Sequence, residues 1–201
     1  EKSIESYSNY SNNPFDYMES LANRPKIKIA SKPVLISNTP NPDDVIIKSS
    51  IMYHFQCSEQ EAKQIMEESE KIDPEYKAKS MNIILHKEER RELEQVSFTF
   101  QIPISLSILT HLTRHRMHSL LIPEFTPLWD FNNFIIPATI QAKSELKNIF
   151  INAQKENMKI FEEFKNSNVS DEDLIYFYLG CQMLNVVTTM NGRTLQWILH
   201  L

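Results

Sequence analysis

The chain has 201 residues, with 26 acidic and 21 basic side chains, six His, two Cys and only two Gly. An ordinary glycine frequency of roughly 7% gives about fourteen in a chain of this length, and a Walker loop or a Rossmann fingerprint needs two or three within a few residues. Gly180 and Gly192 stand too far apart for either motif, and a net charge of −5 gives no general attraction to nucleic acid, so any anion site must be a local basic cluster.

Residues 1–25 are rich in Ser, Asn and Tyr and read as a polar arm ahead of one domain spanning 26–201. They contain no apolar core of a signal peptide. Residues 34–37 (VLIS) form a short strand, followed by a turn in which Pro42 suits the first turn of a helix. Helical spacing runs over 43–71 and breaks at Gln56-Cys57-Ser58, where Ser58 caps the second piece. Another helix is expected over 74–86, then a charged connector at 88–92. Residues 96–102 (VSFTFQI) alternate apolar and polar, which predicts a strand with one buried face, ended by Pro103. A helix is expected from about 105 to 116, then a long structured loop over 117–137 with a short strand at 134–136.

Apolar residues between Ile140 and Phe164 recur at helical spacing and predict one long amphipathic helix. Ser170, with Asp173 three residues later, opens a short one. Residues 183–190 are β-like, and Asn191 is placed to cap a final helix from Gly192 onward. The pattern is α+β, with helices outnumbering strands. No apolar stretch approaches the ~20 residues of a membrane span. Cys57 and Cys181 lack CxxC spacing, which suits a reducing cytoplasm. Neither has a His at a recognisable nucleophile spacing.

The densest polar chemistry is the run from His111 to His118 (HLTRHRMH), with five basic or titratable groups in eight residues. Arg supplies fixed charge and a planar donor fork, suited to phosphate or an electron-rich ring system. The plainer reading is a solvated helix C-terminus, where Arg and His complement the helix dipole. His111, His115 and His118, spaced i, i+4, i+7, could also share a helix face and hold a zinc ion. Two neighbouring arginines and the lack of a nearby carboxylate speak against metal. The second constellation is Asn191-Gly192-Arg193-Thr194-Leu195 at a strand-to-helix junction, which reads either as an anion or heteroatom site at a helix N-terminus or as a plain helix cap.

Taken in order, VLISNTPNPDD, then LEQVSFTFQIPISLSILTHLTRHRMHS, then FIIPATI opening a long helix, then MNGRTLQWILHL, the chain resembles the flavin-dependent thymidylate synthases over residues 33 to 201. The most specific pieces are RHRxxS at 114–119 and the later NxR at 191–193. The resemblance implies an antiparallel or mixed sheet flanked by long helices, and a tetramer whose active sites each draw on several subunits. It implies FAD held by Arg114, His115, Arg116, Asn191 and Arg193, with Ser119 near the nucleotide and His111 where the family has Gln. It further implies hydride from NADPH, a one-carbon unit from methylenetetrahydrofolate, and methylation of dUMP at C5. Neither a metal, a nucleic acid polymer nor a membrane is implied.

The departures from the family are specific. In RHRMHSLLIPEFTP, Leu121, Glu124, Thr126 and Pro127 stand where the family has Asn, Ser, Arg and Tyr, and a carboxylate there repels a phosphate dianion. The family's GHxSxxEH is here EERRELEQ, in which only Glu94 matches, and Ile175 stands where a second phosphate-binding Arg is expected. The Arg that polarises the uracil would fall just after Leu201, so the domain is expected to be cut at its C-terminal end. Two versions of the family activity follow from these changes. One is an enzyme for a different pyrimidine; the other is a non-catalytic subunit that completes sites with an active paralogue in a hetero-oligomer.

Overall fold

A computed structural model of the chain describes residues 28–115, 117–123, 132–167 and 169–200. The polar arm, Arg116, Glu124, Thr126, Pro127 and Leu201 lie outside them. In chain order the elements are β1 (Val34–Asn38), α1 (Pro42–Phe55), α2 (Glu59–Ile72), α3 (Tyr76–His86), a 3-10 turn (Arg91–Gln95), β2 (Ser97–Ser105), α4 (Leu106–Leu112) and β3 (His118–Leu121). They continue with α5 (Ala138–Gln141), α6 (Ser144–Lys165), α7 (Asp171–Leu174), a 3-10 turn (Ile175–Phe177), β4 (Met183–Asn191) and α8 (Gly192–Leu199). The strands make one antiparallel sheet in the order β1-β2-β4-β3, so the protein is α+β.

Local chemistry sets the helix boundaries. Asn41 takes a left-handed conformation at φ 46° and Pro42 follows as the first residue of α1. The break before α2 is a capping box: the Ser58 hydroxyl accepts from the Glu61 amide, and the Ser58 amide donates to the Glu61 carboxylate at 2.8 Å. The Ser105 and Ser170 hydroxyls cap α4 and α7 by accepting from the Ile108 and Asp173 amides. The expected single helix from Ile140 onward is two, because Lys143 is extended (φ −121°, ψ 109°) and separates α5 from α6.

Strand β2 does not stop at Pro103 but continues to Ser105. The Val96 carbonyl accepts from the Gly192 amide, so even-numbered residues of β2 bond toward β4 and odd-numbered ones toward β1. Pro103 therefore faces the β1 side, and β1 begins only at Val34, opposite Gln101. The missing N–H of Pro103 costs no ladder bond there.

The same register places Leu184, Val186, Thr188 and Met190 of β4 on one face with Ile102 and Ile104 of β2 and Leu120 of β3. On β4 these alternate residues are buried, and α4 closes this face through Leu109. Full burial of one such aliphatic side chain stabilises the fold by about 1.5–3 kcal/mol. A second cluster joins Ile46 of α1, Ile84 of α3, Leu93 and Val96 at the entry to β2. A third packs Phe161 of α6 on Leu174 and Phe177. Among the described residues no helix is long and apolar enough to cross a membrane.

Candidate functional site

The run from His111 to His118 is a reversal, not a continuous helix. Helix α4 ends at Leu112, because the Arg114 and His115 amides donate back to the His111 and Leu112 carbonyls, each at 3.1 Å. The chain then enters β3, which the sequence reading left inside a loop. Its first residue, His118, lies opposite Met190 of β4. That pairing carries Arg114 and His115 toward the end of β4, where α8 begins.

At the other side of the junction the Asn191 side-chain oxygen accepts from the Thr194 amide at 2.9 Å and caps α8. The structure thus joins two runs distant in sequence. The His115 ring meets Trp197 of α8 edge-on, with centroids 4.7 Å apart, and the Thr194 hydroxyl reaches the Met117 carbonyl at 3.5 Å. Sequence reasoning missed Trp197. Its signal was its place four residues after Arg193, one helical turn along the same face.

The charges differ in how they are held. Arg114 is exposed and has no ion pair among the described residues. Arg193 pairs with Glu94, at 45% and 32% side-chain exposure, so that pair contributes under about 1 kcal/mol. His111 and Ser119 are exposed, and Ser119 lies opposite Thr189 on the sheet face away from the core. The Ser119 carbonyl accepts from the buried Thr188 hydroxyl at 2.9 Å, which fixes the β3 backbone. His118 is half-buried with no partner for Nδ1 among the described residues, and burial, aided by the charge of His115, holds its pKa below the ordinary histidine value.

Gly192 is required by a close approach. A Cβ there would lie 2.9 Å from the Leu93 carbonyl oxygen and 3.1 Å from a Val96 methyl. Its absence lets α8 seat against the 3-10 turn that carries Glu94. Gln196, one turn on, accepts from Arg90 at 3.3 Å and donates to the Leu85 carbonyl at 3.2 Å.

The shared helix face for a zinc ion does not form, because α4 ends before His115 and His118 belongs to a strand. Among the described residues no three His, Cys, Asp or Glu side chains converge as metal ligands. Cys181 accepts a hydrogen bond from Gln154 at 2.9 Å, and burial pushes its thiol pKa up, away from the thiolate a nucleophile needs. Ile175 opens a 3-10 turn, not an α-helix, and remains partly exposed.

The sheet order, the strand-to-helix junction at Asn191 and the reversal at Arg114 define a protein of the flavin-dependent thymidylate synthase fold. The profile of the family described as thymidylate synthase complementing protein matches residues 34–201, and the chain belongs to that family. It is 29% identical over 181 residues to the flavin-dependent thymidylate synthase of Clostridium tetani (strain Massachusetts / E88), covering 80% of this chain and 70% of that protein. Two solved structures share the fold. A UMP/dUMP methylase of Streptomyces cacaoi bound with 5-Br dUMP superposes with a TM-score of 0.63 at 13% identity, over 84% of this chain and 77% of that one. Thymidylate synthase X of Helicobacter pylori with FAD and dUMP superposes with a TM-score of 0.58 at 16% identity, over 84% and 82%.

Proposed function

We propose that this chain is a flavin-dependent methylase of a pyrimidine nucleotide, formally a thymidylate synthase that transfers a one-carbon unit from methylenetetrahydrofolate to C5 of dUMP with FAD and NADPH. The observation that carries the reading is the meeting of the 114–119 and 191–193 runs across the β3/β4 pairing and the His115–Trp197 contact. Membership of the family and the likeness to the Clostridium tetani enzyme support it.

The residues suit a flavin dinucleotide, which presents a diphosphate and a ring edge of carbonyl and N–H groups. Arg114 is a fixed cation without a competing carboxylate among the described residues, and Asn191 spends its oxygen on the cap, leaving its amide N–H groups to donate outward. The nearby carboxylate, Glu94, is taken by Arg193. When bound, the flavin supplies two-electron chemistry at its ring. Arg114, with Arg116, would hold the anionic part. His115 is oriented by Trp197, and Asn191 and Arg193 would donate to the ring end. Ser119 and His111 would face the nucleotide. Each site is expected to be shared between subunits of a homotetramer, or of a hetero-oligomer with a paralogue.

A second reading, a different pyrimidine nucleotide as substrate, is favoured by Ile175 at a place expected to hold a phosphate-binding Arg. Release of tritium from C5-labelled nucleotide separates the two. With FAD, NADPH and methylenetetrahydrofolate, release from dUMP supports the formal activity. Release from another pyrimidine nucleotide alone supports the second reading. Release from none, by protein that holds flavin, refutes both and leaves the partner-subunit role.

A further inference from the structure

His118 is a titratable group with no part in the flavin or nucleotide contacts proposed for its neighbours. It opens β3, the four-residue strand at the edge of the sheet, and lies opposite the buried Met190. Alternation puts it on the same face as Leu120, the core face that α4 closes with Leu109 and Leu112. Its ring is half-buried, and Nδ1 is buried without a hydrogen-bond partner among the described residues. The backbone is tied on both sides of it. The Thr194 hydroxyl reaches the Met117 carbonyl at 3.5 Å, and the buried Thr188 hydroxyl donates to the Ser119 carbonyl at 2.9 Å. A large swing of the ring toward water therefore disturbs one or both ties.

A neutral imidazole suits this place better than a charged one. Protonation makes both ring nitrogens donors, leaves Nδ1 without an acceptor and sets a charge beside apolar side chains. The surroundings offer it no relief. Met190 and Thr188 face it from β4, Thr194 from α8, and α4 brings Leu109 and Leu112, all uncharged. The carboxylate nearest the start of α8, Glu94, is bound to Arg193. On its own connection stand Arg114 and His115, whose charges repel a histidinium, and among the described residues no carboxylate pairs with His118. Burial first, and the charge of His115 second, accordingly lower its pKa.

We propose that His118 is a proton-operated latch on the reversal between α4 and β3: neutral, it seats β3 beside β4, and protonated, it leaves the core face and frees the start of the strand. Arg114 and His115 lie on that reversal, so opening carries them away from α8 and Trp197. The effect on flavin rests on the function proposed above; the latch itself does not. Its direction follows from the two states. The opened ring has the ordinary histidine pKa of about 6.5, so the closed form is complete above that pH and gives way as pH falls below it.

Hydrogen exchange of residues 117–122 in the full chain, followed by mass spectrometry and corrected for the intrinsic rate, reads the latch. Titration with FAD over the same pH range reads its consequence. In the parent, corrected exchange rises about threefold or more between about pH 7.5 and about pH 5.5, and FAD affinity falls by a similar factor. His118→Asn abolishes both changes. His118→Phe, which keeps a ring on the core face and cannot titrate, abolishes them too, so loose packing in the Asn variant does not decide the outcome. A protein that never binds FAD, yet shows the exchange step in the parent and loses it in both variants, refutes the flavin reading and keeps the latch. Exchange that stays flat with pH in the parent overturns the latch. A step of equal size in both variants, which assigns it to His111 or His115, overturns it as well.

Discussion

Replacing Gly192 by Ala tests whether the seat of α8 is built around a missing side chain. The new Cβ would lie 2.9 Å from the Leu93 carbonyl oxygen and 3.1 Å from a Val96 methyl. Neither neighbour is the free end of a flexible side chain. The carbonyl belongs to the 3-10 turn, and Val96 is buried in the cluster with Ile46, Ile84 and Leu93. Relief requires α8 to move outward, which stretches the Gly192 amide bond to Val96, now 3.1 Å. Overpacking of this kind costs about 1–3 kcal/mol, and the gain from stiffening the unfolded chain returns about 0.4–1 kcal/mol. The balance is a net loss centred on about 1.3 kcal/mol, which lowers the melting temperature by about 3–5 °C in a domain of this size. Thermal unfolding followed by circular dichroism reads it. The displaced helix carries Arg193 and Trp197 and is capped by Asn191, so FAD affinity falls as well. A variant as stable as the parent, with FAD binding intact, would refute the reasoning.

Three further outcomes follow from the same site. Asn191→Asp keeps the oxygen that caps α8 and adds a charge the helix N-terminus tolerates, so stability holds, whereas Asn191→Ala costs about 1 kcal/mol; only the Asp variant isolates the lost amide donor, and FAD affinity drops in it. Arg114→Ala changes stability by less than about 0.5 kcal/mol, since its side chain is exposed and unpaired among the described residues, but weakens FAD binding; urea titrations and flavin fluorescence check the two halves separately. His118 has a folded-state pKa lowered from the ordinary 6.5, by burial first and His115 second. The unfolded chain therefore takes up a proton that the native chain refuses, so its contribution to stability is full above about pH 6.5 and declines as pH falls below it. In the His118→Asn variant, that part of the pH slope in urea midpoint disappears.

Features set by adjacent residues were legible in the sequence. The Ser58 cap, Pro42 at the start of α1 and the Asn191 cap need only a few neighbouring side chains, and each forms as its spacing predicts. Features set by distant pairing were not. Strand β3 is four residues long, and it exists because His118 to Leu121 lie beside β4, some seventy residues later. The run of β2 through Pro103 depends on where β1 starts, which no local pattern at Pro103 encodes. The end of α4 at Leu112 follows from the same pairing, since the chain must reverse before β3, and it dissolved the histidine face that helical spacing alone suggested. Of the candidate site, Arg114, His115, Asn191 and Arg193 were proposed from motif spacing. Trp197 and the Arg90–Gln196 link were not, because an aromatic at helical spacing and an arginine in a charged connector read as ordinary core and surface.

The central claim is that Arg114, His115, Asn191 and Arg193 form one flavin-binding surface. Titration of FAD into the full chain, followed by quenching of flavin fluorescence, tests it most directly in the parent and in Arg114→Ala and Asn191→Asp. The account predicts saturable binding in the parent, weakened about tenfold or more in each variant at unchanged thermal stability, as expected when a charged or amide donor to a buried acceptor is lost. Binding of equal strength in all three, or no binding in the parent, would contradict it.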